Sequence, residues 1–341
     1  MRAPRQPRIH ALPRTVAWHD AAMITEDPPS WADAALARAG RVRTGACVAV
    51  QDRPWGRVWS LPTDQGTVWL KEPGEAVRFE VALLTGLADL GLTPSVLAAD
   101  DTRVLLADAG RTLRDLHEPE ALATPFTAAL VQVGDLQRTT APRVPALLAA
   151  GVADLRPGTL VGRFDDLLVT LGPIDGDTAR ARAVLGDVCT ELAASAVPAS
   201  IDHNDLHDGN VMVDAGGRTT VIDWGDAVVA HPFATLLVAQ RVLADAVDCD
   251  VDDPWDVPVV AAARRAYLAG FAEAAPDEDL ERTARLAVLA AHVARSWVWR
   301  RAMTTFDAAS DDVDLADFAD SAHGWLELAV AALTDARRTT T

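Results

Sequence analysis

The spacing of apolar residues changes part-way along the chain, and this change limits the fold more than any other feature of the sequence. Between residues 42 and 70 apolar side chains alternate in three short runs that contain Val48, Val58 and Val68. A period of two residues is typical of strands, and the polar turn Thr63-Asp64-Gln65-Gly66 joins the second and third runs. These runs predict a small antiparallel sheet.

A helix and two more strands are predicted to follow. Pro73-Gly74-Glu75 ends the third strand, and apolar residues within 77–87 then recur every three to four positions, as in a helix that ends by Gly91. Ser95–Ala99 and Thr102–Ala107 are the next two strand candidates. Five strands and one helix therefore form the first block of the chain.

Most of the remaining chain is predicted to be helical. The helical patterns cover residues 121–138, 159–171, 177–195, 233–246, 257–274, 280–303 and 315–333. Short β segments at 201–203, 210–213 and 219–222 interrupt them, and the turn Asp214–Gly217 predicts a hairpin between the last two segments. A chain of 341 residues exceeds one ordinary core, so two packed lobes are expected. The predicted fold class is α+β, with a small antiparallel-sheet lobe and a larger, mainly helical lobe.

The expected domain boundaries follow from these patterns. Residues 1–40 are rich in proline and arginine, contain one short helix candidate at Trp31–Ala39, and are expected to form a leader. Residues 41–108 form the predicted N-lobe and residues 109–341 the predicted C-lobe. The polar, glycine-containing sequence Asp108-Ala109-Gly110 is suited to the hinge between them.

Composition excludes several classes of protein. The net charge of −18 and the pI of about 4.7 disfavour nucleic acid as a partner, because its phosphates would be repelled, and favour a cationic small molecule. No apolar run reaches the roughly 18 to 20 residues that span a bilayer, so no membrane segment is expected. Three widely spaced cysteines predict neither a disulfide framework nor a zinc site, and favour a reduced, cytoplasmic protein.

Two polar motifs flank the predicted hairpin. His203-Asn204-Asp205-Leu206-His207-Asp208-Gly209-Asn210 precedes it, and Ile222-Asp223-Trp224-Gly225-Asp226 follows it. Phosphoryl transfer needs a carboxylate that orients the attacking hydroxyl and oxygen ligands for a hard cation. Asp205 is therefore the predicted catalytic base, and Asn210 and Asp223 are the predicted ligands of Mg²⁺. A hairpin would bring all three into one cleft.

These motifs resemble those of the aminoglycoside phosphotransferase, or phosphotransferase enzyme, family, whose relatives include choline, homoserine and fructosamine kinases. The resemblance is most specific over Gly56–Asp115 and Ile201–Leu236. It implies a bilobal, protein-kinase-like fold that binds ATP between its lobes, with GTP as an open alternative.

The resemblance also implies nucleotide-binding residues in the first lobe. Lys71, at the end of the third strand, matches the family's lysine that holds the α- and β-phosphates, and Glu80 matches the glutamate that pairs with it. The hinge, whose backbone reads the adenine edge, is expected at Ala107, Asp108, Ala109 and Gly110. Glu75 lies near enough to compete with Glu80 for the pairing role.

The sequence departs from a protein kinase at two places. The phosphate loop of a protein kinase has the pattern Gly-x-Gly-x-x-Gly, but Pro54–Trp59 contains one glycine. No Ala-Pro-Glu segment follows Asp223, and Ala227–Pro232 leads almost directly into a helix. A small-molecule kinase is therefore expected.

The acceptor predicted for this kinase is a hydroxyl of a cationic aminoglycoside or amino sugar, with Asp226 as a speculative acceptor ligand. Kinases of choline, homoserine or a sugar-like metabolite remain alternatives, as does a non-catalytic kinase-like binding module. Trp297, Trp299 and Trp325 are interpreted as core residues of the C-terminal helices, with acceptor stacking as the second interpretation.

Overall fold

The fold was obtained as a computed structural model, which describes residues 30–304, 318 and 320–335. Its helices are α1 (Ser30–Arg38), α2 (Phe79–Leu87), α3 (Leu113–Leu116), α4 (Pro119–Thr140), α5 (Val144–Ala149), α6 (Pro157–Leu171), α7 (Thr178–Ala193), α8 (Leu236–Asp245), α9 (Pro258–Ala269), α10 (Leu280–Ala302) and α11 (Ser321–Thr334). Its strands are β1 (Val48–Arg53), β2 (Gly56–Thr63), β3 (Gly66–Pro73), β4 (Val96–Ala99), β5 (Val104–Ala107), β6 (Arg111–Thr112), β7 (Ala153–Asp154), β8 (Ser200–Asp202), β9 (Val211–Val213), β10 (Thr219–Val221) and β11 (Val228–Ala230).

The first five strands form the antiparallel sheet that the alternating pattern predicts. Their order is β1-β2-β3-β5-β4, and every neighbouring pair is antiparallel. Alternation along β5 sends Leu105 into a small core that α1 covers, whereas Val104 and Leu106 join the main core on the opposite face. The sheet is therefore apolar on both faces, and the α+β prediction is confirmed.

Helix α1 is part of the small core beneath the sheet. Its Ala32, Ala35 and Leu36 are buried, so the boundary predicted at residue 40 separates two elements that are packed together. Residues 1–29 of the predicted leader lie outside the described part of the chain. The boundaries at residues 40 and 108 stay predictions.

The second part of the chain surrounds two small sheets with helices. One sheet has the order β10-β9-β6 and contains the predicted hairpin, and the other has the order β7-β11-β8. Strands β6, β7 and β11 were not predicted, because each has only two or three residues and pairs with a strand far away in sequence. Helix α4 packs on β8, α8 and α9 pack on α4, and α6, α7, α10 and α11 pack against one another.

Most predicted helices agree with the observed ones within a few residues. The predicted helix at 315–333 corresponds to α11, which begins at Ser321, and most of its predicted start lies outside the described residues. Within the described part of the chain, no helix is both long enough and apolar enough to cross a bilayer.

Candidate active site

Lys71 lies at the centre of a buried ion cluster between the two parts of the chain. Leu70 points into the small core of the sheet, so alternation along β3 directs Lys71 to the opposite face. There its Nζ donates to Oε1 of Glu80 on α2 at 2.7 Å and to Oδ1 of Asp223 at 2.6 Å. The structure thus brings together Lys71, Glu80 and Asp223, three of the predicted site residues.

The charges of this cluster are linked. Burial alone would lower the pKa of Lys71, but Asp223 and Glu80 outweigh it and raise that pKa. Burial raises the pKa of Glu80 even beside the Lys71 ammonium. Desolvation would likewise raise the pKa of Asp223, but Lys71 outweighs it and lowers that pKa. Lys71 and Asp223 are therefore a cation and an anion at neutral pH.

The loop after β8 is shaped by hydrogen bonds that involve its own polar side chains. Nε2 of His203 donates to the Ile222 carbonyl at 2.8 Å, and its Nδ1 accepts from the Asp205 amide at 3.3 Å. Burial lowers the pKa of His203, which favours this neutral tautomer. Between these two residues, Asn204 adopts a left-handed backbone with φ 64°. His203 therefore braces the loop through both of its ring nitrogens.

The hairpin brings the two motifs together. Strands β9 and β10 pair with Val211 opposite Val221, and the Ile222 amide donates to the Asn210 carbonyl at 2.9 Å. Asn210 Nδ2 in turn donates to the Asp205 carbonyl at 3.0 Å. These bonds thus bring Asp205, Asn210 and Asp223 close together.

Asn210 and Asp223 fit a hard divalent cation by their chemistry. The amide nitrogen of Asn210 is used on the loop, which leaves its oxygen for a cation, and the Asp223 side chain is 47% exposed. Among the described residues no group of three His, Cys, Asp or Glu side chains forms a metal site. Asn210 and Asp223 would offer one amide and one carboxylate, a set that suits Mg²⁺, which keeps several water or phosphate ligands.

Two arginines that were not predicted from the sequence hold this loop and the predicted base, Asp205. Arg114 on α3 donates to both carboxylate oxygens of Asp208, at 2.7 and 3.1 Å. Arg295 on α10 donates from Nη2 to Oδ1 of Asp205 and from Nη1 to Oδ2 of Asp226, each at 2.6 Å. Arg295 is the one Lys, Arg, Asp or Glu residue in the largely apolar stretch from Leu286 to Val298, and this was the available signal for it.

Asp226 was predicted as an acceptor ligand, and the structure places it beside the catalytic loop. Its Oδ2 accepts from Arg295. Burial raises the pKa of Asp226, and the Arg295 guanidinium opposes that rise. A role of Asp226 in binding the acceptor stays a prediction.

Aromatic residues join the two parts of the chain beside the cleft. Trp55, in the turn between β1 and β2, packs edge-on against Trp299 of α10 at 6.3 Å between ring centroids, and Phe318 stacks on Trp299 at 5.5 Å. The Arg295 guanidinium lies 5.3 Å from the Trp299 ring. Trp297 and Trp325 pack against the main core, as predicted.

The sequence matches the profile of the phosphotransferase enzyme family over residues 61–284, which is most of the chain and includes every predicted site residue. The chain belongs to the phosphotransferase enzyme family. The resemblance that was inferred from its motifs is therefore confirmed. The enzyme is a small-molecule kinase that acts on a hydroxyl group.

Solved structures with the same fold support the architecture of this phosphotransferase. The Plasmodium vivax ethanolamine kinase Pv091845 is 13% identical, with a TM-score of 0.56 over 80% of this chain and 78% of that one. The macrolide 2′-phosphotransferase MphH from Brachybacterium faecium is 18% identical, with a TM-score of 0.54 over 87% and 98%. The GDP and kanamycin complex of APH(2″)-IIIa is 13% identical, with a TM-score of 0.56 over 88% and 98%. A search of curated proteins finds no match.

The predicted hinge of the phosphotransferase lies between the two lobes. Within residues 30–304, Asp108 and Ala109 take part in no backbone-to-backbone hydrogen bond, whereas the Asp108 side chain accepts from Trp69 Nε1 at 2.9 Å. Gly110 has φ 98°, and a Cβ there would lie 2.2 Å from the Val213 carbonyl oxygen, so glycine is required. The binding of adenine at Ala107 to Gly110 stays a prediction.

Proposed function

We propose that this phosphotransferase moves the γ-phosphate of ATP, with Mg²⁺, to a hydroxyl of a cationic aminoglycoside or amino sugar. The observation that carries the proposal is the position of the Asp205 carboxylate. Its Oδ1 is bound by Arg295, but within the described residues nothing donates a hydrogen bond to its Oδ2. Oδ2 is therefore available to accept the proton of an acceptor hydroxyl as the oxygen attacks phosphorus.

The other residues of the cleft have separate tasks in this proposal. Lys71, held by Glu80, would bind the α- and β-phosphates as a point positive charge. Asn210 and Asp223 would hold Mg²⁺, which when bound neutralises charge on the phosphates. The free N–H and C=O groups of the hinge would hydrogen-bond the edge of the base, and backbone recognition of this kind is compatible with ATP or GTP.

The acceptor class is supported by charge. A net charge of −18 would attract a cationic acceptor, and the two carboxylates of Asp205 and Asp226 outnumber the one guanidinium that they share. One solved structure with the same fold is a complex with kanamycin, and another is an ethanolamine kinase, so this fold occurs in proteins whose small-molecule ligands are amines. A cytoplasmic location is part of the proposal and rests on the sequence.

The catalytic assignment is tested by Asp205→Asn. The substitution keeps the size of the side chain but removes its charge, so nucleotide affinity should survive while transfer falls by about 10²- to 10⁴-fold. Nucleotide affinity by calorimetry and transfer by single-turnover assay separate the two effects. Transfer at the parental rate would refute the role of Asp205.

The acceptor is tested by a panel of aminoglycosides, amino sugars, choline, homoserine and neutral sugars, each assayed for consumption of ATP or GTP. A cationic acceptor should show an apparent affinity that weakens as salt rises, because the screening length falls to about 8 Å at physiological ionic strength. Turnover of a neutral or anionic compound with every amine inert would refute the acceptor class. Nucleotide binding with no turnover of any compound would favour a binding module.

A further inference from the structure

We infer that Arg295 is a positioning residue for the catalytic base, and that Asp226 acts mainly as the second anchor of Arg295. This inference rests on the proposed role of Asp205. It concerns a helix that supplies none of the motif residues, since Arg295 is 90 positions from Asp205 along the chain.

The geometry of Arg295 favours a fixed fork. Its two Nη atoms each reach a different carboxylate at 2.6 Å, and its side chain is 2% exposed. The guanidinium group is planar, so fixing one of its bonds restricts the direction of the other. Asp226 and the α10 backbone therefore determine where Arg295 holds the Asp205 carboxylate.

The bond to Asp205 selects one carboxylate oxygen for chemistry. Arg295 holds Oδ1, and Nε2 of His207 lies 3.9 Å from Oδ2. An aspartate without that bond would rotate about its terminal torsion, which is broad. Arg295 thus keeps Oδ2 as the oxygen that is free for the acceptor hydroxyl.

Arg295 does not bind the acceptor itself. It is almost fully buried, and the ring of Trp299 lies 5.3 Å from its guanidinium carbon. Asp226 carries a carboxylate that Arg295 already neutralises, so it offers an acceptor amine less charge than its position in the motif indicates. Loss of Arg295 should therefore change the rate of transfer more than the affinity for either substrate.

The test compares Arg295→Lys and Asp226→Asn with the parent enzyme in steady-state and single-turnover assays. Lysine keeps the charge but cannot hold two carboxylates in the plane of a fork, and a misplacement of about 1 Å can cost about 10²-fold in rate. We expect kcat to fall about 10- to 100-fold in Arg295→Lys and less in Asp226→Asn, with both KM values within about threefold of the parent.

A rescue experiment separates positioning from a structural role. Arg295→Ala leaves a space beside Asp205 that guanidinium ion can fill, so added guanidinium should raise its single-turnover rate several-fold at concentrations that leave the parent unchanged. Arg285→Met is the matched control, because Arg285 is also on α10 but lies away from the catalytic loop. Its Nη1 donates to Oδ1 of Asp253 at 3.0 Å. The variant should lose stability but keep the parental kcat.

The outcomes distinguish this inference from the proposed function. A parental kcat in folded Arg295→Lys would overturn the inference, and so would a change in Asp226→Asn that is confined to a higher acceptor KM. In either case an inactive Asp205→Asn would still support Asp205 as the catalytic base. Full transfer by Asp205→Asn would instead refute the proposed function. If Arg295→Ala is unfolded, the kinetic result for Arg295→Lys decides.

Discussion

The cleft contains two ion clusters of the same form, each with one cation between two carboxylates. In the first cluster Lys71 joins Glu80 and Asp223, and in the second Arg295 joins Asp205 and Asp226. The bonds are of equal length within 0.1 Å, at 2.6 to 2.7 Å. The two clusters differ in exposure and in the shape of the cation.

Those differences indicate different tasks. The Asp223 carboxylate is 47% exposed, and lysine is a point charge on a flexible stem, so this cluster can exchange its anions for phosphate. Neither carboxylate bound to Arg295 is more than 25% exposed, and the guanidinium fork fixes both. One cluster is built to change partners, and the other is built to hold its geometry.

The comparison predicts that loss of Arg295 lowers the free energy of unfolding more than loss of Lys71. Arg295→Met would leave two neighbouring carboxylates unpaired, and breaking a buried pair from one side costs about 3 to 5 kcal/mol. Lys71→Met should cost less, because Asp223 can be hydrated and Glu80 can take up a proton. Urea unfolding of both variants gives the two free energies, and an equal or larger loss for Lys71→Met would contradict the distinction.

Asp223→Asn should produce the next largest effect, on metal-dependent turnover. Loss of a direct ligand should exceed the roughly 10- to 100-fold loss in metal affinity that follows loss of an outer partner. Titration of turnover with Mg²⁺ should show a higher half-saturating concentration and a lower maximum. Asp205→Asn is the control, since it should lower the maximum without moving that concentration.

Lys71→Ala tests the exchange of anions directly. It removes the charge on the non-transferred phosphates, so kcat/KM for the nucleotide should fall by about tenfold or more, while kcat/KM changes little in the Arg285→Met control. The expected loss is accompanied by an intact fold, which circular dichroism can check. Unchanged nucleotide kinetics in folded Lys71→Ala would mean that another group binds the phosphates.

A fifth carboxylate, that of the buried Asp202, sharpens the comparison because it forms no ion pair within the described residues. Burial raises the pKa of Asp202 from 3.8 to about 6, against the opposing hydrogen bonds of Asn204. The folded state thus binds this proton more tightly than the unfolded state, so Asp202 adds stability as pH falls through that pKa and removes it as pH rises.

The effect of Asp202 on stability is the smallest of the predicted effects. From about pH 7 to about pH 5 the parent should gain about 1 kcal/mol of unfolding free energy relative to Asp202→Asn. Comparing the two proteins cancels other groups such as His231, whose pKa is lowered to about 4 by burial. Parallel stability curves for the two proteins would show that Asp202 is already ionised at pH 5.

The sequence predicted all three members of the Lys71 cluster, but only the two carboxylates of the Arg295 cluster. Asp205, Asp223 and Asp226 lie within two motifs joined by a recognisable hairpin, and Lys71 lies at the end of an alternating strand. Arg295 pairs with residues 69 and 90 positions away, and no local spacing encodes such a contact. Strands β6, β7 and β11 were missed for the same reason.

Two residues of the catalytic motifs carry an energetic cost in their backbones. Asn204 has φ 64° and Asp223 has φ 62°, a region that side chains other than glycine enter at a cost of about 1 kcal/mol or more. Contacts elsewhere in the folded protein offset this backbone cost, and they do so before any ligand binds. Glycine at position 204 would relieve that backbone cost but would also loosen the loop that holds Asp205, so relief of strain and precise placement of the carboxylate oppose each other at this position.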